Sequence, residues 1–379
     1  MSWNWEPRKL FSRRLVAPLD PLLLILLFLL SVFGLGLLYS ATNGNADAVL
    51  RQGIFTAIGF VLMFAVAHLP LRDIKIMAFF AALIGFGLLL LTLAFGVELN
   101  GSQRWLPVLP GIVLQPSELM KTILPFVLAV YLGAAVAPGA MMSVGQTLIG
   151  SALICTAALL VILQPDLGTA VMLLVSGAAA MLLGGLRRYW VFGSAALVLV
   201  SPWLIWPFLA EYQRQRVLTF LNPGDDPLGA GWNISQSLIA IGSGGIEGKG
   251  YLQGTQSHLD FVPESHTDFI FSVLAEEGGL ISCLVLMVLF AAVLWRTLAL
   301  LDGFRARAHR IFAAAFVVTF ILQGMINIAM ACALLPVVGL PLPLISQGGS
   351  GKIAALMGFG LIMAMSYHRH RYRFLDNGA

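Results

Sequence analysis

The chain has 379 residues, of which 59% are hydrophobic and 11% charged, with a formal net charge of +4 at pH 7. Apolar runs of about 20 residues recur along its whole length, which excludes a water-soluble globule and identifies a polytopic membrane protein. The basic residues are spread over short loops, which excludes a nucleic-acid face, and Cys155, Cys283 and Cys332 have the spacing of neither a disulfide framework nor a zinc site.

Lipid offers the backbone no hydrogen-bond partners, so runs of this length must be helices. A tail at 1–18 precedes the first, at 19–41, which is long enough to span and has no small-residue cleavage site; it is expected to stay as a helix rather than be removed as a signal. Further runs follow at 53–69, 75–96, 116–135, 144–164, 167–186 and 188–210. After the connection at 211–267 come 268–296, 309–334 and 351–367, then a tail at 368–379. The expected fold is an all-α polytopic membrane protein, a single domain over 19–367 with about ten transmembrane helices and a large extracytoplasmic loop between the seventh and eighth. Within that loop, NPGDDPLGAGWNISQSLIAIGSGG mixes turn residues with an apolar run, which predicts an ordered segment carrying a short helix around Ile234–Ile241.

An even number of spans puts both termini on one side, and the Lys/Arg bias makes that side cytoplasmic. Most of the 22 basic residues fall there: the tail before the first span, Arg72 and Lys75, Arg187 and Arg188, the 296–310 connection, and the end of the chain. Arg51, Arg104, Lys121, Arg214, Arg216, Lys249 and Lys352 fall on the outer half, where the topology rule does not place them. They need another reason.

Chemistry concentrates on that outer half. In FVPESHTDFIF (261–271), Asp268 stands where the loop becomes the eighth span, able to meet water while Phe269, Ile270 and Phe271 exclude solvent behind it. Such a carboxylate suits a general base, although Thr267 or Asp268 in that position also suits a helix cap. GSQRWLP (101–107) and QPSELMKT (115–122) bracket the fourth span, with Pro116 fit for a first helical turn. Arg104 and Lys121 near that helix start are a diphosphate-binding arrangement, or else a Glu118–Lys121 pair beside a snorkelling Arg104. Trp105 fits an interfacial anchor or a platform for a sugar ring. Asp166 in LQPDLGT fits a helix cap or a cavity residue; Gln323 and Asn327 in LQGMINIAM are polar where lipid penalises them. Glu276 in LAEEGG, two turns beyond Asp268 on a continuous helix, is expected to line the same cavity. The glycines of IGSGGIEGKG (241–250) read as turns or as a phosphate cradle, and YQRQR (212–216) places Arg214 and Arg216 beside the outer surface for anionic headgroups or substrate.

Taken together, GSQRW, QPSELMK, QPDLGT, YQRQRVLTFLNP, DDPLGAGW, IAIGSGG, GKGYLQGTQS, FVPESHTDFIF, AEEGG, LPVVGLPLPLISQGGS and GFG resemble, in order and over nearly the whole chain, the SEDS family of bacterial membrane proteins. YQRQR with GKGYLQGTQS is similar to the elongation-type members more than to the division-type members. One departure is Gln347 in SQGGS, where SYGGS is usual. The resemblance implies a peptidoglycan glycosyltransferase of the inner membrane that polymerises lipid II into glycan strands and releases undecaprenyl diphosphate. It implies that Asp268 is the essential carboxylate, that Arg104, Trp105, Glu118 and Lys121 belong to the functional motif, and that His266 sits in the same motif as Asp268. It implies lipid II, a lipid-linked glycan and a class B penicillin-binding protein as partners. No carboxylate pair carries a metal signature, though a divalent cation, Mg²⁺ or Mn²⁺, is expected to be able to assist at the diphosphate. Two other classes compete with the enzyme: a lipid II flippase, and a noncatalytic scaffold for the penicillin-binding protein.

Overall fold

The structure is a computed structural model that describes residues 19–99, 102–109, 112–208, 214, 218–220, 230–258 and 264–376. Among the described residues, ten helices fall on the ten apolar runs, and eight of them are long and apolar enough to cross a membrane. The ten are α1 (Pro21–Ala41), α2 (Ala46–Ala67), α3 (Ile74–Phe95), α4 (Pro116–Ala135), α5 (Val144–Ile162), α6 (Leu167–Leu183) and α7 (Arg188–Ile205), then α9 (Ile270–Leu301), α10 (Arg307–Ala331) and α11 (Gly349–Asp376). Between α7 and α9 lies the loop helix α8 (Ala230–Gly244), the short helix expected near Ile234–Ile241. The tail expected at 1–18 lies outside the described residues, and α11 continues past the expected boundary at 367 to Asp376.

The helix starts follow local chemistry. Asp20 caps α1 by accepting from the Leu23 N–H, with Pro21 in the first turn, where its missing N–H costs nothing. Asn45 caps α2, which therefore begins seven residues before the expected start at 53. Ser143 and Gln146 form a reciprocal capping box on α5.

One element departs from the all-helical expectation. Residues 97–114 form an antiparallel sheet of three strands, β1 (Val97–Leu99), β2 (Ser102–Leu109) and β3 (Ile112–Leu114), in that order. Arg104 and Trp105 are carried on β2, not on a helix start. The Asn100-Gly101 pair between β1 and β2 is the sequence signal for such a hairpin.

The centre of the bundle is α4 and α10, flanked by α6 and α11. Phe126 of α4 meets Phe312 of α10 edge-on at 5.7 Å, and Phe316 and Phe320 of α10 both meet Phe359 of α11. Small residues let backbones approach: a Cβ on Gly360 would lie 2.5 Å from the Met63 carbonyl oxygen, so α2 and α11 cross closely there. Helices α1, α2, α3, α5 and α7 turn residues such as Phe28, Val61, Phe79, Leu148 and Leu199 outward, as a lipid-facing belt requires.

Candidate active site

A cavity of about 1040 Å³ opens at one end of the bundle, walled by β2, the first turns of α4 and α6, α10, the turn before α9, and the 336–352 segment that leads into α11. It brings together Arg104, Trp105, Glu118, Lys121 and Asp268 from the expected site.

The first two turns of α4 supply its floor. Glu118 and Lys121 are one turn apart, and the Lys121 ammonium meets Glu118 Oε2 at 2.7 Å. Lys121 Nζ also donates to Gln323 Oε1 at 2.8 Å, and Gln323 in turn donates to the Pro341 carbonyl at 2.9 Å. The local ion pair considered from the sequence is therefore present, and the paired side chains face the cavity nonetheless. Glu118 and Lys121 are both buried, which makes each dependent on the other: an unpaired charge there carries a penalty of several kcal/mol (~3–5).

Asp166 joins three elements. It caps α6 through Thr169 N–H at 3.1 Å, accepts from Gln115 Nε2 at 2.9 Å and from Ser117 Oγ at 3.3 Å, and faces Arg104 Nη1 at 3.7 Å. Both readings of Asp166, cap and cavity residue, hold at once. Arg104 donates through Nε to Ser102 Oγ at 2.8 Å, and its guanidinium lies 4.7 Å from the centre of the Trp105 ring. The two cations thus enter from different elements, each facing a carboxylate.

Asp268 sits on the turn Glu264–Phe269, and α9 begins only at Ile270. Phe269 occupies the capping position with no side-chain cap hydrogen bond, so Asp268 is not the cap of this helix. Three successive carbonyls hold the turn in place. His266 accepts from Gln347 N–H at 2.9 Å, Thr267 from Ser346 Oγ at 2.6 Å, and Asp268 from Asn327 Nδ2 at 2.9 Å. Asn327 also donates to the Leu340 carbonyl at 2.8 Å, clamping the turn to α10 and the 340–347 loop. Behind Asp268, Phe269, Ile270 and Phe271 are buried, as expected. In front, Oδ2 looks toward Gly339, where a Cβ would lie 3.8 Å away. This pre-organised backbone aims a carboxylate into the cavity.

Three expected residues, His266, Glu276 and Arg214, do not line the cavity. His266 contributes its carbonyl to the clamp, but its ring does not line the cavity. Glu276 is fully buried elsewhere: Oε1 meets Lys249 Nζ at 2.7 Å and accepts from Thr255 and Gln256 N–H at 2.7 and 2.9 Å. The expectation that it lines the Asp268 cavity is corrected, because the 264–269 turn breaks the helical register that the spacing assumed. Arg214 donates to the Trp206 and Pro207 carbonyls at 3.2 and 2.8 Å, and Arg216 lies outside the described residues. The glycines of 241–250 serve as turns against α9: Lys249 and Gly250 N–H donate to the Glu276 and Glu277 carbonyls, and Leu280 N–H donates back to Gly245.

Three further wall residues were singled out in the sequence without a role beside Asp268. Gln323 anchors Lys121, Asp166 balances Arg104, and Lys352 enters from the first turn of α11. A lone lysine in the glycine-rich and apolar run SGKIAALMG was the available signal for the last. Among the described residues no three His, Cys, Asp or Glu side chains converge as a metal cage.

Known proteins resemble this chain over most of its length. The profile of the FtsW/RodA/SpoVE cell cycle proteins matches residues 19–371. The peptidoglycan glycosyltransferase MrdB of Escherichia coli K12 is 41% identical over 355 residues, covering 93% of this chain and 94% of MrdB. A probable peptidoglycan glycosyltransferase FtsW of Idiomarina loihiensis is 33% identical, over 97% of this chain and 90% of the relative. Among solved structures, a chain from a peptidoglycan synthase complex that coordinates polymerization and crosslinking superposes with a TM-score of 0.80 at 32% identity, over 93% of this chain and 98% of that one. The rod shape determining protein RodA of Thermus thermophilus superposes with a TM-score of 0.69 at 28% identity, over 93% and 97%.

Proposed function

The chain belongs to the FtsW/RodA/SpoVE family of cell cycle proteins, and from that premise we propose that it is a peptidoglycan glycosyltransferase of the elongation type, serving cell shape, whose substrate is lipid II. The observation that carries the reading is Asp268, fixed by three backbone carbonyl bonds at the mouth of a cavity that also holds Arg104 and Lys121.

The step is inverting glycosyl transfer. The acceptor sugar's 4-hydroxyl attacks the donor's anomeric carbon and gives its proton to Asp268, while the bond from that carbon to the diphosphate oxygen breaks. The diphosphate leaves with the electron pair, and its added charge is stabilised by Arg104 and Lys121. Their pairing with Asp166 and Glu118 keeps both cations in place before substrate arrives, so the site is charged and oriented in advance. Trp105 offers its ring to a sugar. Polyprenyl tails lie in the grooves between helices, which accounts for a sugar polymerase built from membrane spans. The cavity faces the periplasm of an inner-membrane protein with both termini cytoplasmic, and a crosslinking enzyme of the class B penicillin-binding type is the partner, in keeping with the synthase complex that this chain resembles.

The test is purified protein incubated with labelled lipid II, with and without a partner that lacks a glycosyltransferase of its own, and resolved on a gel. Glycan ladders that disappear with Asp268→Asn are expected. Movement of lipid II across vesicles with no ladder would assign transport instead, and neither ladder nor movement while the partner still binds would leave a scaffold.

A further inference from the structure

Lys352 is left over by this mechanism. It is one of the outer-half cations that the topology rule does not place, and it lies in the cavity wall five residues after Gln347, the one departure from the family pattern. The residue is 3% exposed, and its Nζ has no hydrogen-bond partner among the described residues. The carboxylate packed on the same turn is already committed. Glu118 Oε2 lies where a Cβ on Gly351 would come within 2.6 Å, but that oxygen is bonded to Lys121. The turn itself is locked, because Ser350 Oγ accepts from Gln115 N–H at 3.0 Å and Thr122 Oγ1 donates to the Ala354 carbonyl at 2.9 Å.

An ammonium has donors and no acceptor, and burying one without a counter-charge is among the costliest arrangements a protein can hold. Among the described residues no free carboxylate answers this ammonium, and the position suits an anion brought in by a ligand. The first turn of α11 points the same way, since its backbone N–H groups have no partner within the helix and the helix dipole is positive there. Lys352 supplies the full charge that a helix start alone lacks.

We propose that Lys352 and the first turn of α11 form a diphosphate-binding site in the cavity wall, which holds the diphosphate of the lipid-linked donor. This assignment rests on the glycosyltransferase reading for the identity of the donor, but the anion site itself does not need turnover to be detected. The ammonium acts as a point charge on a phosphate oxygen, beside Arg104 and Lys121, which already face carboxylates. No bond is made or broken at Lys352; its role is to bind and orient.

The test uses the full-length protein in detergent, with Lys352→Met and Lys352→Gln as variants. Both remove a buried charge and are expected to fold, the Met variant with an unliganded melting temperature equal to or above that of the parent. Inorganic pyrophosphate and farnesyl diphosphate are expected to raise the melting temperature of the parent and not of either variant. With labelled lipid II, KM is expected to rise about tenfold or more in both variants, with kcat changed less, as for loss of a hydrogen bond to a charged group. Unchanged stabilisation by both diphosphates together with unchanged KM in the variants overturns the proposal while leaving glycosyl transfer intact. An equal response to orthophosphate, or a response only to phosphatidylglycerol micelles, overturns the diphosphate assignment. If the parent makes no polymer with its partner, the glycosyltransferase reading fails, and the pyrophosphate shift still decides whether Lys352 binds a diphosphate.

Discussion

Two buried or half-buried carboxylates on neighbouring stretches, Asp268 and Glu276, have opposite fates, and substitution separates them. Asp268→Asn keeps the backbone carbonyl that Asn327 holds and removes only the group offered to the acceptor hydroxyl. Polymer formation is expected to fall by roughly 10²–10⁴, the usual contribution of a general base, with the melting temperature nearly unchanged; a ladder of ordinary intensity from this variant sinks the base assignment. Glu276→Gln does the reverse. It weakens the ion pair to Lys249 and the bonds from Thr255 and Gln256, so a loss of about 1.5–3 kcal/mol in stability is expected, read as a lower melting temperature, with KM for lipid II unaltered. Asp268 was legible because a carboxylate before an apolar run is conspicuous. Glu276 was misread because its distance from Asp268 was counted along a helix that does not yet exist at 268.

At the scale of elements, α9 is the informative case. Gly279 lies inside it with φ 61° and ψ −163°, a conformation essentially reserved for glycine, and the helix is interrupted there. The interruption is filled by the end of the long loop: Gly245 and Ile246 carbonyls accept from Leu280 and Ile281 N–H at 3.0 and 3.2 Å, so the break leaves those groups satisfied. A Cβ on Gly279 would lie 2.4 Å from Gly248 N, and both strain and clash follow. Gly279→Ala is expected to cost at least 1–3 kcal/mol (roughly), measured by thermal unfolding, and to raise hydrogen exchange at 245–250; an unshifted melting temperature refutes the docking role of the break. None of this was legible as more than a glycine-rich loop beside AEEGG, since pairing between two segments some thirty residues apart (on the order of 30) leaves no periodic trace in either. The sheet that carries Arg104 was missed for a different reason: two of its strands have only three residues, and the Asn-Gly pair at 100–101 is the only strong local signal.

For the molecule as a whole, the helices were legible because hydrocarbon imposes one solution on the backbone, whereas the cavity was not, because its walls come from six separated stretches. The same constraint supplies a decisive check on the outward-facing residues. In a soluble bundle an exposed residue near the middle of a helix tolerates a charge, and the change in stability stays within about 0.5 kcal/mol. Facing hydrocarbon, an arginine at a helix centre costs on the order of 2.5–3.5 kcal/mol in membrane insertion. Ile84 is 57% exposed, lies at the middle of α3 and touches the outside of the bundle away from the cavity wall. Ile84→Arg is therefore expected to lower the membrane-integrated yield several-fold, while whatever protein does insert binds lipid II as the parent does, because the cavity is built from β2, α4, α6, α10, α11 and the Asp268 turn. Fractionation of membranes with a quantitative blot reads the yield. A variant that integrates as well as the parent would mean that this face meets protein or water, and the assignment of the apolar belt to lipid would have to be withdrawn at α3.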